Sequence, residues 1–172
     1  MKFLPSSPIG IFDSGVGGLS ILRQIYNQLP NERLVYVADQ AHVPYGSRSI
    51  SEVRQFSEAI SRFLLAQDVK LVVVACNTAS AAALSFLRQQ FPQVAFVGME
   101  PAVKPAAQRT QTGKVGVLAT EGTFASERYA DLMARYAQNV KVFESPCLGL
   151  VNLIESGQAD APETERLLRE IV

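Results

Sequence analysis

An α/β fold built on a mostly parallel sheet is predicted, and three observations predict it. Short apolar runs alternate with longer segments of helical period, the pattern of successive β-α-β units. The run "VKLVVVA" lacks polar and apolar alternation, as a central strand covered on both faces requires. The 172 residues are 48% hydrophobic and 19% charged, the make-up of a soluble globular chain able to bury a core.

The elements follow in chain order. Strands are expected at 9–13, 34–39, 71–75, 95–98, 114–119 and 140–143, where apolar runs are shortest. Helices are expected at 18–28, 51–67, 79–90, 101–110, 124–136 and 148–156, with a last one from 162 to the end. In the first helix Leu19, Leu22, Ile25 and Tyr26 recur at the spacing that lays one apolar stripe against a sheet. The stretch "GMEPAVKP" interrupts the pattern with a glycine and two prolines and marks a domain boundary. It divides the chain into 1–98 and 99–172.

Sixteen Lys plus Arg balance sixteen Asp plus Glu, so no net field draws a polyanion, and nucleic acid is not an expected partner. The start "MKFLPSSPIGIF" is too short in apolar residues, and too broken by Pro5 and Pro8, for a signal peptide or a membrane span. A cytoplasmic location is expected, without membrane contact. Cys76 and Cys147 are expected as free thiols, and neither has metal-ligand spacing around it.

In parallel α/β sheets ligands bind beyond the carboxyl ends of the strands. Asp13, Ser14, Asp39, Cys76, Asn77, Thr78, Thr120 and Thr123 all fall there and form one candidate site. "FDSGVGG" puts Asp13 and Ser14 before three glycines and a helix, which suits a small anion at a helix N-terminus. A turn whose glycines serve packing and whose Asp13 is a cap explains it equally. The segment has neither the dinucleotide fingerprint nor the P-loop pattern.

Pro44, Tyr45 and Gly46 form a turn that can offer backbone donors and a phenol, although Pro-Gly loops are usually only loops. His42 is the only histidine and is read as a loop residue rather than the partner of Cys76. Cys76, at a strand end before a helix, is placed where the helix N-terminus stabilises a thiolate, which predicts a pKa below the ordinary ~8.5 of a cysteine. Most free cysteines are instead small buried hydrophobes; Asn77 and Thr78 beside it favour a site. Cys147, after Pro146 and without such companions, is read as packing.

Taken in order, "GIFDSGVGGLSIL", "YVADQAHVPYGSRS", "VVVACNTASAAAL", "GVLATEGTFASERY" and "SPCLGLVNLIESG" resemble the glutamate racemases of the aspartate/glutamate racemase superfamily. The resemblance implies a three-layer sandwich of two similar α/β domains, the second incomplete here, and a homodimer is open. It implies interconversion of L- and D-glutamate for peptidoglycan without any cofactor or metal, by two bases on opposite faces of the α-carbon. Cys76 matches the first catalytic cysteine, with Asp13 assisting it. Asp13 and Ser14, Tyr45 and Gly46, and Asn77 and Thr78 match substrate-binding pairs, with Pro44, Thr120 and Thr123 as further contacts.

The second cysteine of that family lies in a Gly-Cys-Thr-His motif that this sequence does not contain, and Cys147 matches a non-catalytic position. The ending "ETERLLREIV" has no helix stop, which points to a fragment of a longer protein rather than a shortened relative, inactive by itself. A racemase acting on aspartate or a related amino acid, and a non-catalytic binding protein, are the alternatives.

Overall fold

The computed structural model describes residues 4–171. The chain divides into two compact units, one ending at Met99 and the next beginning at Glu100.

The first unit contains a four-stranded, wholly parallel sheet. Its strands are β1 (Ile9–Asp13), β2 (Leu34–Ala38), β3 (Leu71–Val74) and β4 (Ala95–Val97), in the order β2-β1-β3-β4. Asp13 pairs with Ala38 and Phe12 with Val74, so the carboxyl ends of the three strands finish level. The Asp39 N–H donates to the Asp13 carbonyl at 3.0 Å and carries the β1/β2 ladder one step past the strands.

Three helices cover this sheet: α1 (Leu19–Gln28), α2 (Ile50–Leu65) and α3 (Asn77–Gln90). Alternate strand residues serve different faces, because successive side chains point to opposite sides. Phe12, Val72, Val74 and Phe96 pack with Val53 and Leu64 of α2 and with Ala79, Ala83, Leu84 and Leu87 of α3. Ile9, Ile11, Val73 and Ala75 meet Ile21, Leu22 and Ile25 of α1. A three-layer arrangement results. It also corrects the expected stripe on α1: Leu19 and Tyr26 are 47% and 61% exposed. The residues facing the sheet are Ile21, Leu22 and Ile25, so the helix is rotated by part of a turn from the sequence expectation.

The helix ends are set locally. Ser49 and Glu52 form a capping box at the start of α2: the Ser49 hydroxyl accepts from the Glu52 N–H at 3.2 Å, and the Glu52 carboxylate accepts from the Ser49 N–H at 2.9 Å. At the start of α3 the cap is Cys76, whose sulfur accepts from the Ala79 N–H at 3.3 Å. The helix therefore begins at Asn77, two residues before the expected 79.

The second unit contains β5 (Lys114–Leu118) and β6 (Lys141–Ser145), paired in parallel. Around them run α4 (Val103–Arg109), α5 (Glu121–Phe124), α6 (Glu127–Tyr136), α7 (Leu150–Glu155) and α8 (Pro162–Ile171). Val115 and Val117 pack with Val103, Tyr129, Leu132 and Ala137. Pro105 fits inside α4 because it lies in the first turn, where an N–H has no partner within the helix. The single helix expected at 124–136 is two, broken where Ser126 caps α6 by accepting from the Tyr129 N–H at 3.2 Å.

Candidate active site

The first unit collects most of the candidate residues at the carboxyl end of its sheet. Asp13 ends β1, Ser14 follows it, Tyr45 opens a 3-10 turn (Tyr45–Ser47) after β2, and Cys76 joins β3 to α3. The Ser14 hydroxyl lies 3.5 Å from the Cys76 sulfur, and either atom can be the donor. Asp13, 5% exposed, accepts from the Gly18 N–H at 2.8 Å with its carboxylate, so the anion is tied to the start of α1. The glycines admit this approach. A Cβ on Gly18 would stand 2.5 Å from the Asp13 Cβ, 2.8 Å from the Tyr36 hydroxyl and 3.2 Å from the Ala75 Cβ. Tyr36 in turn donates to the Gly15 carbonyl at 3.2 Å and holds the loop from the other side.

Cys76 is 7% exposed. Burial raises its thiol pKa above the ordinary value, and the nearby Asp13 carboxylate raises it further, against hydrogen bonds from Ser14 and Ala79 that favour the thiolate. The sequence expectation of a depressed pKa is thereby corrected. The helix-end donors are present, but desolvation and a like charge outweigh them. The raised pKa favours the protonated thiol over the thiolate at Cys76.

Tyr45 requires a second correction. Its phenol, expected as a substrate contact, is 1% exposed and donates to the Asp39 carboxylate at 2.6 Å. Burial and this acidic acceptor push its pKa well up, with smaller contributions from Cys76 and Asp13. The phenol is consumed inside the protein, and what the turn at 44–46 can offer a ligand is backbone. Pro44 and Gly46 are half-buried on either side of Tyr45. Asn77 is exposed and Thr78 buried in the first turn of α3, where the leading N–H groups have no acceptor within the helix.

Thr120 and Thr123 belong to the second unit, just after β5. The Thr120 hydroxyl caps α5, accepting from the Thr123 N–H at 3.4 Å, and lies 3.1 Å from the Thr123 hydroxyl. Cys147, in the same unit, is buried and directs its thiol to the Ser145 carbonyl at 3.5 Å, in keeping with a packing role. Its backbone takes a positive φ of 47°.

Two residues outside the predicted set contribute. Ser80, fully buried, donates to the Val74 carbonyl at 3.1 Å and accepts from the Met99 N–H at 2.9 Å, binding the helix headed by Cys76 to the end of β3 and to the segment after β4. His42 places Nδ1 2.8 Å from the Asp39 carboxylate. A serine within the alanine-rich run of α3 gave no hint of the first, and a lone loop histidine gave little of the second. Among the described residues, no group of three or more His, Cys, Asp and Glu side chains could hold a metal ion, and no helix is long and apolar enough to cross a membrane.

This geometry has counterparts in known proteins. Residues 9–172 match the family described as Asp/Glu/Hydantoin racemase. The chain is 55% identical over 167 residues to the glutamate racemase of Pseudomonas aeruginosa, covering 97% of itself and 63% of that relative. It is similar in structure to Escherichia coli glutamate racemase in complex with L-glutamate and the activator UDP-MurNAc-ala, with a TM-score of 0.85 at 36% identity, over 95% of this chain and 64% of that one. Against Francisella tularensis glutamate racemase in complex with D-glutamate the TM-score is 0.81 at 33% identity, over 97% and 62% of the two chains. The chain thus spans less than two thirds of the length of these relatives.

Proposed function

The chain belongs to the Asp/Glu/hydantoin racemase family, and from that premise we propose that it carries one face of a glutamate racemase site, with Cys76 as the acid and base of that face. The observation that carries the proposal is the Cys76 thiol at the head of α3, 3.5 Å from the Ser14 hydroxyl and close enough to Asp13 for that carboxylate to raise its pKa.

Racemisation moves one proton off Cα and puts another on from the opposite side. The C–H bond breaks, its electron pair delocalises into the substrate carboxylate, and the proton goes to a base. An acid on the far face then supplies a proton to Cα. Each group needs a pKa matched to its turn as acid or base. Its raised pKa favours the form of Cys76 that holds its proton and is set to give it. When the substrate ammonium enters beside Asp13, its positive charge offsets the carboxylate that raises the thiol pKa, so the thiolate becomes accessible for the reverse direction. Asp13 and Ser14 would hold the ammonium, and the backbone of Tyr45 and Gly46 together with Asn77 and Thr78 would hold the carboxylates and the charge that develops on them. Pro44 shapes that turn.

The far face needs a second acid. Cys147 is engaged with Ser145 and His42 with Asp39, so we assign that role to a part of the complete protein beyond these residues. The reaction needs no cofactor. Its D-glutamate would supply peptidoglycan synthesis in a bacterial cytoplasm.

The test is Cys76→Ser in the complete protein. Washout of the α-proton of glutamate into D2O, followed by NMR, should fall at least ~10³-fold, as expected when the group that exchanges the proton is lost. Exchange at the wild-type rate would remove Cys76 from the mechanism. A panel of glutamate and aspartate enantiomers read by circular dichroism fixes the substrate.

A further inference from the structure

One carboxylate, that of Asp39, organises the turn at 44–46. Asp39 receives the Tyr45 hydroxyl at 2.6 Å and the His42 Nδ1–H at 2.8 and 2.9 Å to its two oxygens. The tautomer follows from the acceptor: a carboxylate only accepts, so Nδ1 carries the proton. The His42 ring also lies flat on Phe56 of α2, with centroids 3.9 Å apart and planes 17° from parallel. Its carbonyl accepts from Arg48 Nε at 3.2 Å, which brings the two ends of the loop together. The Asp39 N–H holds the Asp13 carbonyl, so the same residue is tied to the strand that bears Asp13. The imidazole therefore bridges α2, the strand ends and the 44–46 turn.

We propose that His42 is a positioning residue: it fixes the Asp39 carboxylate so that Tyr45, and with it the Tyr45–Gly46 backbone, is preorganised to receive a substrate carboxylate. This rests on the racemase reading given above. The contacts of His42 run to Asp39, Arg48 and Phe56 and not to Cys76, so its contribution falls on substrate binding and not on proton transfer. Losing its donor lets Asp39 and the Tyr45 phenol relax together, and the binding turn then has to be ordered by the ligand.

Two substitutions in the complete protein separate the hydrogen bond from the stacking. His42→Phe keeps a flat ring on Phe56 and removes the donor. His42→Asn returns a donor at nearly the same place without the ring. The expected result for His42→Phe is a KM for glutamate raised about fivefold, the size of one lost hydrogen bond, with kcat within about twofold of wild type. His42→Asn should restore KM to within about twofold. An unchanged KM in His42→Phe, a fall in kcat in place of the rise in KM, or His42→Asn no better than His42→Phe would each overturn the inference.

If the wild-type protein does not turn over glutamate, the functional reading fails separately. The positioning role is then decided by amide hydrogen exchange at Tyr45 and Gly46 in the 172-residue chain. His42→Phe should speed it about fivefold by the same loss and His42→Asn should not; equal rates in the three proteins overturn it. With one histidine in the sequence, the imidazole N–H gives a single NMR signal that reports the Asp39 contact directly.

Discussion

Gly18→Ala is the sharpest perturbation available, because space alone determines its sign. Gly18 has φ −63° and ψ −16°, a conformation that any residue adopts, so the backbone raises no objection to alanine. Alanine there restricts the unfolded chain and by itself would stabilise the protein by ~0.4–1 kcal/mol. Against this, the new methyl would meet the Asp13 Cβ at 2.5 Å and the Ala75 Cβ at 3.2 Å. Both atoms are attached directly to backbone in β1 and at the end of β3, and neither can rotate away. Forcing a methyl into a packed site costs ~1–3 kcal/mol, and with fixed neighbours the upper end applies, leaving a net loss of ~2 kcal/mol. Urea unfolding followed by circular dichroism should show a midpoint lower by about 1 M, given a slope of ~1–3 kcal/mol per M. Gly17→Ala is the matched control: its Cβ would find only the Asp13 carboxylate oxygen at 3.6 Å, and stability should stay within ~0.5 kcal/mol of wild type. If the two variants unfold at the same midpoint, the close contact of α1 with Asp13 is not what keeps position 18 glycine.

Ser80→Ala should cost ~2 kcal/mol, since it strips the Val74 carbonyl and the Met99 N–H of a buried partner; thermal melts compared with an exposed control such as Ser47→Ala measure it. Stability should fall as pH rises above ~8.5, because the unfolded Cys76 thiol ionises there while the folded one, with its raised pKa, still holds its proton. Cys76→Ser should flatten that part of the curve, leaving the steeper fall above ~10 that the raised pKa values of Tyr45 and Tyr129 impose. The 172-residue chain alone should racemise no glutamate by circular dichroism, since one acid cannot serve both faces of a carbon; turnover by it would show that Cys147 or a second copy fills the other side.

The central strands β1 and β3 were legible because buried parallel strands announce themselves as apolar runs, and each of the six strands begins within a residue of its expected start. Helix ends were less so. The break at Ser126 needed recognition that a serine three residues before Tyr129 caps a new helix, and the face of α1 turned on which of five apolar side chains the sheet would take. At the site, Asp13, Ser14 and Cys76 could be placed at strand ends from sequence alone. Their charge states could not. The direction of the Cys76 shift depends on how much water reaches the sulfur and on a carboxylate 63 residues away in the chain, and both are set by tertiary packing. Tyr45 failed for the same reason: no local pattern shows that its phenol is spent on Asp39. Ser80 was hidden because its two bonds reach backbone groups of β3 and of the segment after β4.

The hydroxyl of Ser14 has a property that the distances alone do not convey. As an O–H beside a sulfur it can give a hydrogen bond to a thiolate or take one from a thiol, and it changes role by turning about one C–O bond. No heavy atom has to move when Cys76 gains or loses its proton: the same hydroxyl accepts from the thiol and, turned about that bond, donates to the thiolate and favours it.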